Sequence, residues 1–134
     1  MASLTQRIRQ QFATLIVQFL LGMSVNLIGL PDEVDSKTLK LIDQFAVGLH
    51  VLIAIGLIVT AIGINRVTSK QAPGLRKLAG GGGGGVGVAI LGGIGTFALH
   101  GGWSNVASFV MAVGFIGAIL AYGQLYVRAQ AIRA

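Results

Sequence analysis

Long apolar stretches separated by short polar segments run the length of the chain. Gln10–Pro31 and Gln44–Asn65 are each 22 residues without Asp, Glu, Lys or Arg, and Leu78–Val127 continues so for 50. A helix that crosses the hydrocarbon core needs about 20 mainly apolar residues. The first two runs therefore predict one span each and the third predicts two. The pattern predicts an all-α polytopic membrane protein: a four-transmembrane-helix bundle forming a single transmembrane domain over residues 1–134. The predicted spans cover about 11–30, 41–64, 82–100 and 105–127.

Local signals set the ends. Ser3 and Gln6 have the spacing of a capping box, so a helix starts here and feeds into the first span. Leu4, Ile8 and Phe12 share one face of that entry, which reads as interfacial. Pro31 stops the first helix, and Asp35 or Ser36 is the expected cap of the second. Pro73-Gly74 marks a turn before the third helix. Gly101-Gly102 ends that helix, and Ser104 or Asn105 is expected to cap the fourth.

Charge sets the orientation. Of ten basic residues, eight (Arg7, Arg9, Arg66, Lys70, Arg76, Lys77, Arg128 and Arg133) fall on one side of the predicted bundle. Lys37 and Lys40 fall on the other with all four acids, Asp32, Glu33, Asp35 and Asp43. By the positive-inside rule both termini are cytoplasmic. Tyr122 and Tyr126 are expected in the inner aromatic belt and Trp103 in the outer one. The net charge of +6 flanks the spans rather than forming a face, so it points to the lipid bilayer and not to nucleic acid. With no cysteine, disulfides, thiolate metal sites and cysteine nucleophiles are excluded. The first apolar run is of spanning length and lacks a small-residue cleavage site, so no cleavable signal is expected.

The densest oddity is Gly80–Gly102, with twelve glycines and no charge. An interior glycine costs a water-exposed helix about 1 kcal/mol relative to alanine. In lipid, however, the backbone must satisfy its own hydrogen bonds, which forces such a stretch toward helix. Spacing of four places Gly81, Gly85, Ala89 and Gly93 on one stripe, with Val86, Ile90, Ile94 and Phe97 on a bulky opposite side. The fourth span has matching pairs, Gly114 with Ala118 and Gly117 with Ala121. Small-residue stripes let backbones approach closely, so these eight residues are expected to pack helices together, within one chain or between copies. Gly82, Gly84 and Gly87 also fit a G-x-G-x-x-G pattern, but six consecutive glycines fit almost any such pattern. No preceding strand and no Gly-Lys-Ser/Thr supports a phosphate cradle. A late start to this helix, after Gly83, is a further expectation.

Polar side chains are predicted to concentrate in the outer half, Gln18, Thr60 and Gln124 excepted. At a rise of 1.5 Å per residue, His50 lies roughly 10 Å below the outer boundary, Asn26 roughly 7 Å and Thr96 about 6 Å. His100 and Asn105 lie at the rim. His50, Asn26, His100 and Asn105 are the candidate polar or cofactor site. No cofactor is required by this set. Haem b, with His50 as an axial ligand, or a quinone contact is the alternative, although His50 and His100 differ in estimated depth. No cluster of His, Asp and Glu matches a metal site, no acid sits inside a span beyond Asp43 at the head of the second helix, and Ser24 and Ser108 have no triad partners. Catalysis is therefore disfavoured. A carboxylate-driven exporter of the small multidrug type would carry an acid in its first span, and this chain has none.

The strings QFLLGMSVNL, HVLIAIGLIV and NVASFVMAVGFIGAILAY resemble a group of small bacterial four-span inner-membrane proteins of no established activity. The resemblance covers three of the four spans and excludes the glycine run. It implies a bacterial inner (cytoplasmic) membrane setting. The excess of small-residue stripes over any chemical constellation points to a non-catalytic accessory or scaffold subunit, packed into a homo-oligomer or a larger membrane complex. An electron-transfer subunit using His50 is the alternative, and an oligomeric channel or carrier is the third reading.

Overall fold

The computed structural model describes residues 3–28 and 36–132, with the side chains of residues 25–28 outside that description. The helices are α1 (Leu4–Ile28), α2 (Lys37–Gln71), α3 (Arg76–Ala98) and α4 (Gly102–Ala131), with a 3-10 turn at Pro73–Leu75 between α2 and α3. Among the described residues there is no strand. Helix α1 packs on α2, α2 on α3, α3 on α4, and α4 returns to α1, while among the described residues neither diagonal pair is in contact. The chain therefore runs up-down-up-down around a closed square. Among the described residues three segments are long and apolar enough to cross a membrane: α2, Pro73–Ala98 carrying α3, and α4.

Each helix turns a seam inward in steps of three and four. The buried positions are Leu4, Ile8, Gln11, Leu15 and Gln18 on α1, and Leu57, Ala61, Ile64 and Thr68 on α2. They continue with Ala79, Gly82 and Val86 on α3, and Gly114, Ala118, Tyr122, Leu125 and Ala129 on α4. Such a step pattern suits the shallow crossing of helix bundles, about 20°. Outside the seams the helices present large apolar side chains, among them Phe45 at 73% exposure, Leu91 at 70% and Phe109 at 69%. An aqueous surface would not tolerate so continuous an apolar coat. The tightly buried core lies toward the end carrying Leu4, the α2–α3 turn and Ala129.

The helices are longer than the apolar runs. Charge does not break a helix; it only marks where the helix leaves hydrocarbon. Thus α2 continues past Ile64 to Gln71 and ends where Pro73 follows, with Ala72 at φ −146° and ψ 67°. Helix α3 is continuous from Arg76, so the expected late start after Gly83 is replaced by an unbroken helix through all six glycines. Ser3 caps α1 as the spacing predicts, with the Gln6 N–H donating to Ser3 Oγ at 3.3 Å. At α4 the expected Ser104 or Asn105 cap gives way to Gly101, whose φ of +62° suits glycine. Ser104 Oγ instead donates to the Thr96 carbonyl at 3.1 Å and ties the first turn of α4 to the last of α3. Ser36 precedes α2 without a side-chain cap bond. The Pro31 stop, Asp35 and Arg133 lie outside the described residues.

Candidate functional site

The closest approach in the molecule is between α3 and α4. A Cβ at Gly85 would stand 2.6 Å from the Ala118 nitrogen and 2.8 Å from the Gly114 carbonyl oxygen. One at Gly114 would stand 2.8 Å from the Gly85 carbonyl oxygen and press on Ala89. At Gly92 it would meet the Met111 Cα at 2.7 Å and the Ala107 carbonyl oxygen at 2.8 Å. The neighbours here are backbone, which cannot move without separating the helices.

The structure therefore brings Gly85, Ala89, Gly114 and Ala118 into one intrachain seam. It adds Gly82 and Gly92, which the four-residue stripe leaves out. Gly81 and Gly93 lie at the seam's margin, with Ala121 Cβ at 3.9 Å and Met111 Sδ at 3.5 Å from their respective Cβ positions. Gly117 is exposed with nothing within 4 Å, so within the chain it packs no helix. Val86, expected on the bulky outer side, is 2% exposed and belongs to the core. The repeat is three-four rather than strict four, which rotates the seam toward Gly82, Val86 and Gly92.

Between α1 and α2 the fastening is polar. Gln11 Nε2 donates to the Leu57 carbonyl at 3.0 Å, and Gln18 Nε2 donates to the His50 carbonyl at 3.0 Å. The two glutamines are seven residues apart and so are their acceptors, which is the register of an antiparallel pair meeting once every two turns. Thr60 Oγ1 donates to Gln11 Oε1. Amide-to-carbonyl bonds of this kind average about 0.6 kcal/mol between membrane helices and reach about 1.7. Gln18→Leu is accordingly expected to cost about 1 kcal/mol in an unfolding titration, with no loss of helix by circular dichroism. A cost above about 3 kcal/mol would mean that Gln18 does more than fasten α1 to α2.

Tyr122 is the hub of the buried half. Expected in the inner aromatic belt, it is instead 0% exposed. Its ring occupies the space a side chain on Gly82 would need, with ring carbons 2.8 to 2.9 Å from that Cβ position. The hydroxyl lies toward Gln11 but finds no well-aligned partner among the described residues. On the α1–α4 side, Phe19 and Phe115 stack with centroids 5.1 Å apart at 20°. Gln11 and Tyr122 join Thr60, an expected exception to the outer gathering of polar groups, in a polar node toward the end of the bundle that carries Leu4 and Ala129.

Beside that node a groove of about 660 Å³ opens on the outer side of the α1–α2 pair. Arg7 and Arg66 stand at one end, and Gln10, Thr14 and Thr60 lie along it. Gly56 and Gly63 deepen the α2 wall: a Cβ at Gly56 would meet nothing within 4 Å, and one at Gly63 would meet only Arg7 Nη1, at 4.0 Å.

Of the four residues predicted as a polar or cofactor site, the three with described side chains are not gathered. His50 is half-buried on the α1–α2 seam, with its Cε1 3.1 Å from a Cβ position at Gly22. Its Nδ1 is buried and has no hydrogen-bond partner among the described residues. His100 is exposed in the α3–α4 turn, and Asn105 is exposed on α4. The Asn26 side chain lies outside the described residues. Asp43, expected at the head of its helix, sits in the second turn of α2 and is 0% exposed, without a hydrogen-bond partner among the described residues. Among those residues no three His, Cys, Asp or Glu side chains converge to hold a metal ion. Gln11 and Tyr122 are the positions sequence reading missed, although the seven-residue spacing of Gln11 and Gln18 beside Leu4, Ile8 and Leu15 was a signal for the first.

The fold and seams define a class: an all-helical antiparallel bundle with an apolar exterior and membrane-spanning candidate helices. Comparison with protein-family models, curated proteins and solved structures finds no match for the chain.

Proposed function

We propose that the chain is a non-catalytic accessory or scaffold subunit of the bacterial cytoplasmic membrane. It crosses the bilayer four times, with α1 as the fourth span and both termini in the cytoplasm. The observation that carries this reading is where the polar groups go. Gln11, Gln18, Thr60 and Ser104 are bonded to neighbouring helices. These four side chains thus serve as fasteners, while large apolar faces remain outward on every helix. The common direction of α1's start, the α2–α3 turn and the end of α4 supports placing both termini with the eight basic residues.

In this reading the chain works as a homo-oligomer or within a larger membrane complex. Gly85, Ala89, Gly114 and Ala118 are already engaged by α3 and α4. A partner helix is therefore met by the outward glycines, Gly80, Gly84 and Gly87 on α3, each with open space at its Cβ position. Cross-linking in native membranes, followed by mass analysis, tests this. The wild type is expected to give higher-mass species, and the Gly84→Leu/Gly87→Leu variant to lose them while keeping its unfolding midpoint. A wild type that stays monomeric and uncross-linked overturns the reading.

One observation favours the alternative of a haem- or quinone-associated subunit: the unbonded, buried Nδ1 of His50. An absorption spectrum of the purified protein, oxidised and reduced, tests the haem version: a Soret band lost in His50→Ala promotes it, and a colourless preparation overturns it.

A further inference from the structure

We propose that the α1–α2 groove is a binding site for one anionic phospholipid. The phosphate sits between Arg7 and Arg66, and an acyl chain lies along Gly63 and Gly56. This inference rests on the reading of the chain as bilayer-embedded, but on neither oligomerisation nor a cofactor.

The lining has the order of a lipid molecule. At one end are two guanidiniums, and the same end of the bundle carries Lys70, Arg76 and Lys77 just beyond the groove. Basic pockets between membrane helices on the cytoplasmic side are suited to anionic head groups. Next come Gln10, about 5 Å deeper along α1 at 1.5 Å per residue and level with the ester region of a lipid whose phosphate meets Arg7, and Thr14, about 10 Å deeper beside the start of the acyl chain. Gly63 and Gly56 then form a trough in α2, walled by Ile53, Val59 and Ile62. Val59 and Ile62 are 64% and 49% exposed, so the trough opens toward the surrounding lipid rather than into the bundle.

Dimensions narrow the choice of occupant. Along α2 the lining runs from Arg66 to Ile53, thirteen residues or about 20 Å. One leaflet of a hydrocarbon core about 30 Å thick spans about 15 Å. The groove thus extends from the head-group layer through one leaflet and stops. A helix from a partner protein would be expected to need a seam across the full bilayer. A soluble anion would make no use of the apolar trough. The volume of about 660 Å³ falls within the range of ordinary ligand sites, about 300–1,000 Å³.

Native mass spectrometry of the detergent-purified full chain tests the proposal, using added phosphatidylglycerol or phosphatidylcholine with identical acyl chains. Phosphatidylglycerol is expected to be retained at least about fivefold better, the factor that one interfacial cation contributes. Arg66→Ala, at an exposed position, should remove about that factor, and Arg66→Lys should restore most of it. Gly56→Leu/Gly63→Leu fills the trough and should abolish retention of both lipids, with the helix content intact. Glycerol phosphate, which has the charge without the chains, should fail to displace bound lipid. Equal retention of the two lipids, or retention unchanged in both the Arg66→Ala and the trough-filling variants, overturns the proposal. So does displacement by glycerol phosphate, which would make the site one for a soluble anion. Failure of the chain to enter vesicles of any composition would instead overturn the membrane reading itself.

Discussion

Gly85→Ala is expected to force α3 away from α4 and to destabilise the bundle by about 3 kcal/mol, the upper part of the usual cost of overpacking. The added methyl would sit 2.6 Å from the Ala118 nitrogen and 2.8 Å from the Gly114 carbonyl oxygen, and neither atom is the end of a flexible side chain. Gly114→Ala meets the mirror image of the same clash and should cost as much. Gly117→Ala supplies the control. It lies one turn from Gly114 on the same helix, with nothing within 4 Å of its Cβ position. Removing a glycine from a helix interior there should be neutral or gain up to about 1 kcal/mol. Unfolding in mixed micelles with increasing sodium dodecyl sulfate, followed by circular dichroism, reads all three. Equal effects at Gly85 and Gly117 would show that the seam does not lie where the structure puts it.

Tyr122→Ala should cost about 3–5 kcal/mol, as large aromatic truncations in packed interiors do. The ring is 0% exposed and fills the space opposite Gly82, so its removal opens a cavity between α3 and α4 with no side chain on Gly82 to close it. Tyr122→Phe separates ring from hydroxyl. Because the hydroxyl lacks a well-aligned partner, its deletion should change stability by less than about 1 kcal/mol. The pair with Gly82 gives a sharper reading. Gly82→Ala alone collides with the ring, but in a Tyr122→Ala background the collision is gone. A double-mutant cycle should therefore show strong coupling, on the order of 2–3 kcal/mol. Additive effects would mean that the ring does not rest on Gly82.

The helices were legible because a bilayer leaves the backbone few choices. Uncharged runs of 22, 22 and 50 residues carry that information directly. The seams were harder to read. A strict spacing of four placed Gly81 and Gly93 at the centre of contact and Val86 outside. The bundle's shallow crossing needs steps of three and four, which only the packed partner reveals. Tyr122 was misplaced because tyrosine near the end of a span usually marks the head-group layer. What overrides that preference is the hole at Gly82, forty residues away in sequence. The polar candidates fared by their position along the chain: depth estimates can rank His50, His100 and Asn105, but they carry no information on which seam each faces. Gln11 was hidden for the opposite reason, lying at the edge of its apolar run, where a polar side chain looks unremarkable.

The glycine contacts of α3 also bear on how the chain enters the membrane. Of the three membrane-length segments among the described residues, the one carrying α3 has the lowest hydropathy, because hydrogen atoms replace the side chains that would favour lipid. Alone in a bilayer, it would expose backbone along the face that α4 covers in the finished molecule. The turn joining the two helices is only Leu99, His100 and Gly101, so α4 is held beside α3 from the moment it emerges. The pair is thus suited to insert as one hairpin, and α3's commitment to the bilayer waits on a segment synthesised after it.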